Sequence, residues 1–169
     1  DVQPPARDIA AAKALLKQAG VTGTVPVELT VPNSPVALQA AEVIQSMVAE
    51  AGFDLKIKAM EFASSLQAGY GGNFQAYMIG WSGRSDADGN MWALMHTGGT
   101  FNYGHHSNAT LDKLLDDARL TTDVAERRAI YAKAWAAQRQ DLPLVYLWTT
   151  RNIVGMKKNL NGFVQVPDG

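Results

Sequence analysis

The sequence contains no cysteine. That excludes disulfides, thiolate metal sites and a cysteine nucleophile. It has almost no net charge: 15 Lys and Arg stand against 16 Asp and Glu, for a formal charge of −1. Such a balance gives no electrostatic footprint for nucleic acid or an anionic membrane surface. It also has no apolar run approaching the ~20 residues of a membrane helix. Neither an internal repeat nor a low-complexity linker is present.

What remains is an ordinary globular composition, 47% hydrophobic and 18% charged. A chain of 169 residues is long enough for one domain with a single core. The chain starts at Asp1 with no visible signal peptide, and "DVQPPARD" reads as a loop entering a helix. "GFVQVPDG" closes it without a terminal helix. Residues 1–169 are therefore expected to form a single α/β lobe, one part of a longer protein.

The order of elements is informative. In "RDIAAAKALLKQAG", Ile9, Ala12, Leu15, Leu16 and Ala19 fall on one helical face, and Gly20 supplies a stop. Val25 to Val31 alternates as a strand. Ser34-Pro35 opens a helix that turns Ala40, Ile44, Met47, Val48 and Ala51 inward and ends at Gly52. "FDLKIKAM", Phe53 to Met60, alternates cleanly with one wet face. A short helix over Glu61 to Tyr70 leads to "FQAYMIGW", read as a third strand. This β-α-β-α-β order implies right-handed crossovers and a parallel core. Asn108 then caps a helix carrying Leu111, Leu114, Leu115 and Ala118. Asp123 with Glu126 opens another in capping-box fashion, running to about Gln140. "LPLVYLWT" and "RNIVGM" read as two further strands, with Pro143 tolerated near the start of the first. The expected fold is α/β, with a mixed, mostly parallel sheet flanked by helices.

Chemistry concentrates in "GWSGRSDADGN", Gly80 to Asn90. In open α/β sheets ligands bind at the carboxyl ends of strands, which is where this stretch falls. A calcium loop beginning at Asp86 fails: its sixth position is Met91 rather than Gly and its twelfth is Thr97 rather than Glu. A transition-metal site would need histidines, but adjacent His105 and His106 point to opposite sides of an extended chain, and no H-x-x-x-H spacing occurs. A serine elbow fails as well, because Arg84 stands where glycine should follow Ser82 by two. Asp86 and Asp88 could serve as an acid–base pair, although short Asp/Gly/Asn loops are usually turns.

Binding fits best. Trp81 offers a flat apolar wall, glycines allow close backbone approach, and the backbone leaving a strand can pair with an extended ligand. Arg84 is a fork suited to a carboxylate, or else an internal partner of Asp86 or Asp88. Trp81 could equally pack in the core against Trp92.

At this point the residues carry a resemblance. "AAKALLKQAG", "IQSMVAEAGFDLKIKAMEF", "GNFQAYMIGWSGRSDADGN" and "SNATLDKLLDDARLTTDVAERRAIYAKAWAAQRQDLPLVYLW" occur in that order. Together they resemble the C-terminal lobe of family 5 solute-binding proteins, the oligopeptide, dipeptide, nickel and glutathione receptors of ABC importers. The resemblance covers nearly the whole chain. It implies one lobe of a type II periplasmic-binding-protein fold, extracytoplasmic, working with an N-terminal lobe of the same protein and with ABC permease subunits. It implies a peptide or peptide-like solute and no reaction. With the failed metal spacings and the balanced charge, no cofactor, no metal and no nucleic acid are expected.

Within that family the tryptophan ending the strand, here Trp81, opens the ligand-contacting segment, and the next residue, here Ser82, meets the peptide through its backbone. Peptide-binding members often carry an aspartate three positions after the tryptophan to pair with the ligand's amino group. Here that position is Arg84, which repels an ammonium and attracts a carboxylate. "WSGRxDxDGN" resembles the glutathione-import branch, with Ala87 in place of that branch's usual proline. The expected ligand-facing positions are Trp81, Ser82, Gly83 and Arg84, with Asp86 orienting Arg84 or shaping the turn and Tyr103 and His105 in the next loop. The alternatives are a small α/β enzyme using Asp86 and Asp88, and an interaction domain without a small ligand.

Overall fold

The computed structural model describes residues 6–151 and 153–164. They form two compact units, one ending at Gly80 and the other beginning at Trp81.

The first unit is an α/β layer. Its elements are α1 (Ile9–Gln18), β1 (Val25–Pro32), α2 (Pro35–Ala49), β2 (Phe53–Met60), α3 (Phe62–Tyr70) and β3 (Ala76–Tyr77). The three strands lie in the order β2-β1-β3, and both pairings are parallel. β1 and β2 run in register from Val25↔Phe53 to Pro32↔Met60. β1 is central, with α2 and α3 packed on it. Leu29, Thr30 and Val31 are consecutively buried, as befits a parallel strand covered on both faces. β2 is an edge whose Lys56 and Lys58 stay wet. Lys58 bonds Glu28 of β1 at 2.8 Å. The core gathers Leu29, Val31, Ala41, Leu55 and Met78, with Ala40, Ile44 and Val48 of α2 against it.

Side-chain caps set the helix starts. Asp8, Ser34 and Glu61 accept from the N–H groups of Ala11, Ala37 and Ser64, satisfying donors a helix leaves orphaned. Three details differ from the sequence reading. Leu15 of α1 and Met47 of α2 are exposed rather than inward. α1 has no fully buried residue, and only Ile9, Ala12 and Leu16 of its expected face are half-covered. The third strand is two residues long, extended by one further bond from Met78 N–H to Thr30 C=O at 3.0 Å.

The second unit is helical: α4 (Ala87–Met95), α5 (Ala109–Leu120) and α6 (Val124–Asp141). α5 packs on both α4 and α6. Met95, Leu111, Leu115 and Ala134 are fully buried at the centre, with Trp92, Leu114, Tyr131 and Trp135 around them. Asn108 accepts from Thr110 and Leu111 N–H, and Asp123 from Glu126 N–H, as the capping signals require. α6 ends at Leu142, in the left-handed region at φ 48°.

The α/β class with a parallel sheet is as expected, but "LPLVYLWT" and the described part of "RNIVGM" form no strand. The reason is physical. Alternating apolar residues make a strand only when a neighbour takes up the backbone N–H and C=O groups, and no described segment pairs with them. Val145, Tyr146, Leu147, Trp148 and Ile153 are consequently exposed.

Candidate functional site

Trp81 opens the second unit, and a loop of five residues leads to α4. Asp86 is the N-cap of α4, with Oδ1 accepting from Asp88 N–H at 2.8 Å. Gly89 and Asn90 lie in the first turns of a helix they would not favour on propensity. Asn90 explains why the loop holds its shape. Its Oδ1 accepts from Trp81 Nε1 at 3.1 Å and from Arg84 N–H at 2.7 Å. Its Nδ2 donates to Arg84 C=O at 2.6 Å and to Asp86 C=O at 2.9 Å. Two lone pairs and two protons are all an amide has, so Asn90 is fully used within this loop.

The two carboxylates of the stretch are each gripped by an arginine from another helix. Arg127 of α6 takes Asp86 through Nη1 and Nη2, both at 2.8 Å. Arg119 of α5 takes Asp88 through Nε at 2.7 Å and Nη2 at 2.9 Å. The Arg127 bond, helped by the Asp88 N–H, lowers the Asp86 pKa to about 2. The Asp88 bond raises the pKa of Arg119. Arg119 also lies 3.9 Å from the ring centroid of Trp92. The Trp92 indole stacks on His96 at 4.4 Å and donates to Asp116 at 3.0 Å.

Arg84 is different. Its Nη1 donates to Ser82 C=O at 2.5 Å, to Ser82 Oγ at 3.0 Å and to Gly83 C=O at 3.4 Å. Its guanidinium lies 4.9 Å from the Trp81 ring centroid. It has no carboxylate partner among the described residues. Of the two roles expected of Asp86, orienting Arg84 is not what it does: it shapes the turn as the cap of α4 and pairs with Arg127. An internal pair of Arg84 with Asp86 or Asp88 is likewise not formed, because both acids are already taken. The same commitment removes the freedom an acid–base pair would need.

Trp81 is half-buried and packs edge-on against Phe101 at 5.0 Å, not against Trp92. Phe101 in turn meets Tyr103 at 6.2 Å. The structure thus brings Trp81, Ser82, Gly83, Arg84 and, through Phe101, Tyr103 into one patch. His105 is exposed, with a left-handed backbone at φ 50° and its N–H on Asn102 C=O at 3.0 Å. No contact described here joins it to Arg84. His106 bonds Asp141 at 3.1 Å instead. Among the described residues, no group of three or more potential ligands could hold a metal ion.

Sequence reasoning missed Asn90, Arg119 and Arg127. The "DGN" of the stretch was the only available signal for Asn90. The two arginines sit 31 and 41 residues from their partners, a spacing without local periodicity.

The family described as bacterial extracellular solute-binding proteins, family 5 Middle, matches residues 1–102. The chain belongs to that family. It is 30% identical to di/tripeptide-binding protein 1 of Pseudomonas aeruginosa strain UCBPP-PA14, over 96% of this chain and 32% of the relative. It is 28% identical to the dipeptide-binding protein of Escherichia coli K12, over 100% of this chain and 33% of the relative. Among solved structures it is similar to the ABC transporter-associated periplasmic binding protein DppA of Helicobacter pylori in complex with the peptide STSA. That match has a TM-score of 0.77 and 26% identity, over 85% of this chain and 29% of the other. The chain spans about a third of the length of the curated relatives it matches. These relatives are binding proteins. No helix among the described residues is long and apolar enough to cross a membrane.

Proposed function

We propose that this chain is one lobe of the substrate-binding component of an ABC importer for peptides or peptide-like, carboxylate-bearing solutes. It acts outside the cytoplasm, with an N-terminal lobe of the same protein and with ABC permease subunits, and performs no reaction. Trp81, Ser82, Gly83 and Arg84 face the solute, with Tyr103 and His105 at the margin. Family membership supports the binding role, and the di- and tripeptide relatives support the solute class.

One observation carries the carboxylate preference. Arg84 is exposed beside Trp81 and pairs with no acid among the described residues, while the two acids nearest in sequence are held by Arg119 and Arg127. A cation left unpaired on a binding loop selects an anion and rejects an ammonium.

The test is a peptide screen on the full-length receptor, followed by calorimetry of Arg84→Asp with the best carboxylate-bearing solute. Affinity is expected to fall, by ~2–5 kcal/mol where the bound solute buries the charge pair. Unchanged affinity refutes the assignment of Arg84.

A further inference from the structure

Among its described residues the second unit contains two tryptophan–arginine pairs, of which one is complete. In the complete pair, Arg119 lies over Trp92 and turns its Nε and Nη2 toward the two oxygens of Asp88. In the other, Arg84 lies over Trp81 and uses only Nη1, on the Ser82 and Gly83 oxygens. Nε and Nη2 of Arg84 have no hydrogen-bond acceptor among the described residues. That open edge is the same side-on fork Arg119 uses for Asp88. A guanidinium edge of this kind matches the two oxygens of a carboxylate.

The pose of Arg84 is fixed from three directions. Both its N–H and its C=O are bonded to the Asn90 amide. Its Nη1 is anchored on Ser82. Its aliphatic stem lies against Gly89, where an added Cβ would stand 2.9 Å from Arg84 Cγ and 3.0 Å from Arg84 Cβ. Glycine inside a helix is unfavourable relative to alanine. At Gly89 it makes room for that stem. Arg84 Cβ is also not the far end of a flexible side chain, so the crowding could not be relieved cheaply.

We infer that the Nε–Nη2 edge of Arg84 is the seat for a solute carboxylate, with Gly89 as its positioning residue. The seat completes at Trp81 the arrangement that Asp88 completes at Trp92. It rests on the reading that this loop faces the solute, and it sharpens that reading. Arg84 Nη1 is already spent on the Ser82 and Gly83 oxygens, so the Nε–Nη2 edge is the part of the guanidinium left for a carboxylate.

The experiment uses the full-length receptor and two matched probes, succinate and succinamide. The Arg84 Nε–Hε resonance, assigned by its loss in Arg84→Lys, is followed by NMR during titration. Succinate is expected to shift it saturably, and succinamide to leave it in place. Gly89→Ala is expected to weaken succinate at least tenfold and to bring the acid-to-amide affinity ratio toward one. Gly155→Ala, where an added Cβ meets nothing within 4 Å, is expected to behave as wild type. An Arg84 signal indifferent to succinate, or one moved equally by succinamide, overturns the seat. Wild-type succinate binding in Gly89→Ala overturns the role of Gly89. The wild-type titration needs no variant to fold, so it decides the first point alone. If succinate settles on Arg84 but the screen yields no peptide, the importer reading fails and the seat stands. If peptides bind but succinate leaves Arg84 unmoved, the reverse holds.

Discussion

The indole nitrogen of Trp81 donates to Oδ1 of Asn90 at 3.1 Å across nine positions of chain. This bond turns the one polar atom of the Trp81 ring inward. On the proposed function, the face Trp81 turns to a solute is apolar, and polar recognition falls to its neighbours in the loop.

Replacing Asn90 should loosen the whole loop. Asn90→Ala leaves two donors and two acceptors without their partner, at a cost of about 1–3 kcal/mol for each group that water does not reach. Asn90→Asp keeps the acceptor for Trp81 and Arg84 N–H but loses both donated bonds. The expected order of melting temperature is wild type, then Asn90→Asp, then Asn90→Ala. Differential scanning calorimetry ranks them. The Trp81 contribution to fluorescence, isolated with Trp81→Phe as the reference, should shift to the red in Asn90→Ala.

The Asp86–Arg127 pair predicts a pH signature. The pKa of Asp86 is depressed from its ordinary 3.8 to about 2. A carboxylate depressed on folding stabilises the folded form above its unfolded pKa. That contribution is lost as pH falls from about 4 through about 2. In Arg127→Ala the carboxyl carbon of Asp86 should titrate at a higher midpoint by NMR. An Asp86 midpoint unchanged by Arg127→Ala would contradict the assignment. Asp86 is exposed and Arg127 half-buried, so salt should weaken the effect.

Stability of the helical unit should depend on the seam between α5 and its neighbours. Leu111 is fully buried there, whereas Leu120 at the end of the same helix is 84% exposed. Leu111→Ala should cost about 2–5 kcal/mol through lost burial and a residual cavity. Leu120→Ala should fall within about 0.5 kcal/mol of wild type. Urea denaturation of the full-length protein, read by a probe in residues 81–164, separates the two.

Where chemistry is local, the sequence announced the structure. Ser34-Pro35, Asn108 and the Asp123–Glu126 box start helices where they should, because a cap bonds N–H groups two or three residues on. Phe53 to Met60 alternates because β2 is an edge with one wet face. α4 was not legible. Gly89 and Asn90 argue against a helix on propensity, and what holds α4 comes from Arg119 and Arg127 on other helices. The segments after Leu142 failed in the opposite sense, since their apolar alternation meets no ladder among the described residues. At the site, the residues from Trp81 to Arg84 could be picked out by type. Which cation was free could not, because that depends on which arginines had already taken the acids.

The clamps on α4 have a thermodynamic consequence. Its cap is tied to α6 by Arg127, its first turn to α5 by Arg119, and its last turn to α5 again through Trp92 and Asp116. Asn90 passes that restraint to the backbone of Arg84. If this loop meets a solute as proposed, conformational entropy that a loose loop would surrender on binding has here been surrendered during folding. Association at this loop should then draw on the contacts themselves, with little deduction for ordering the residues that make them.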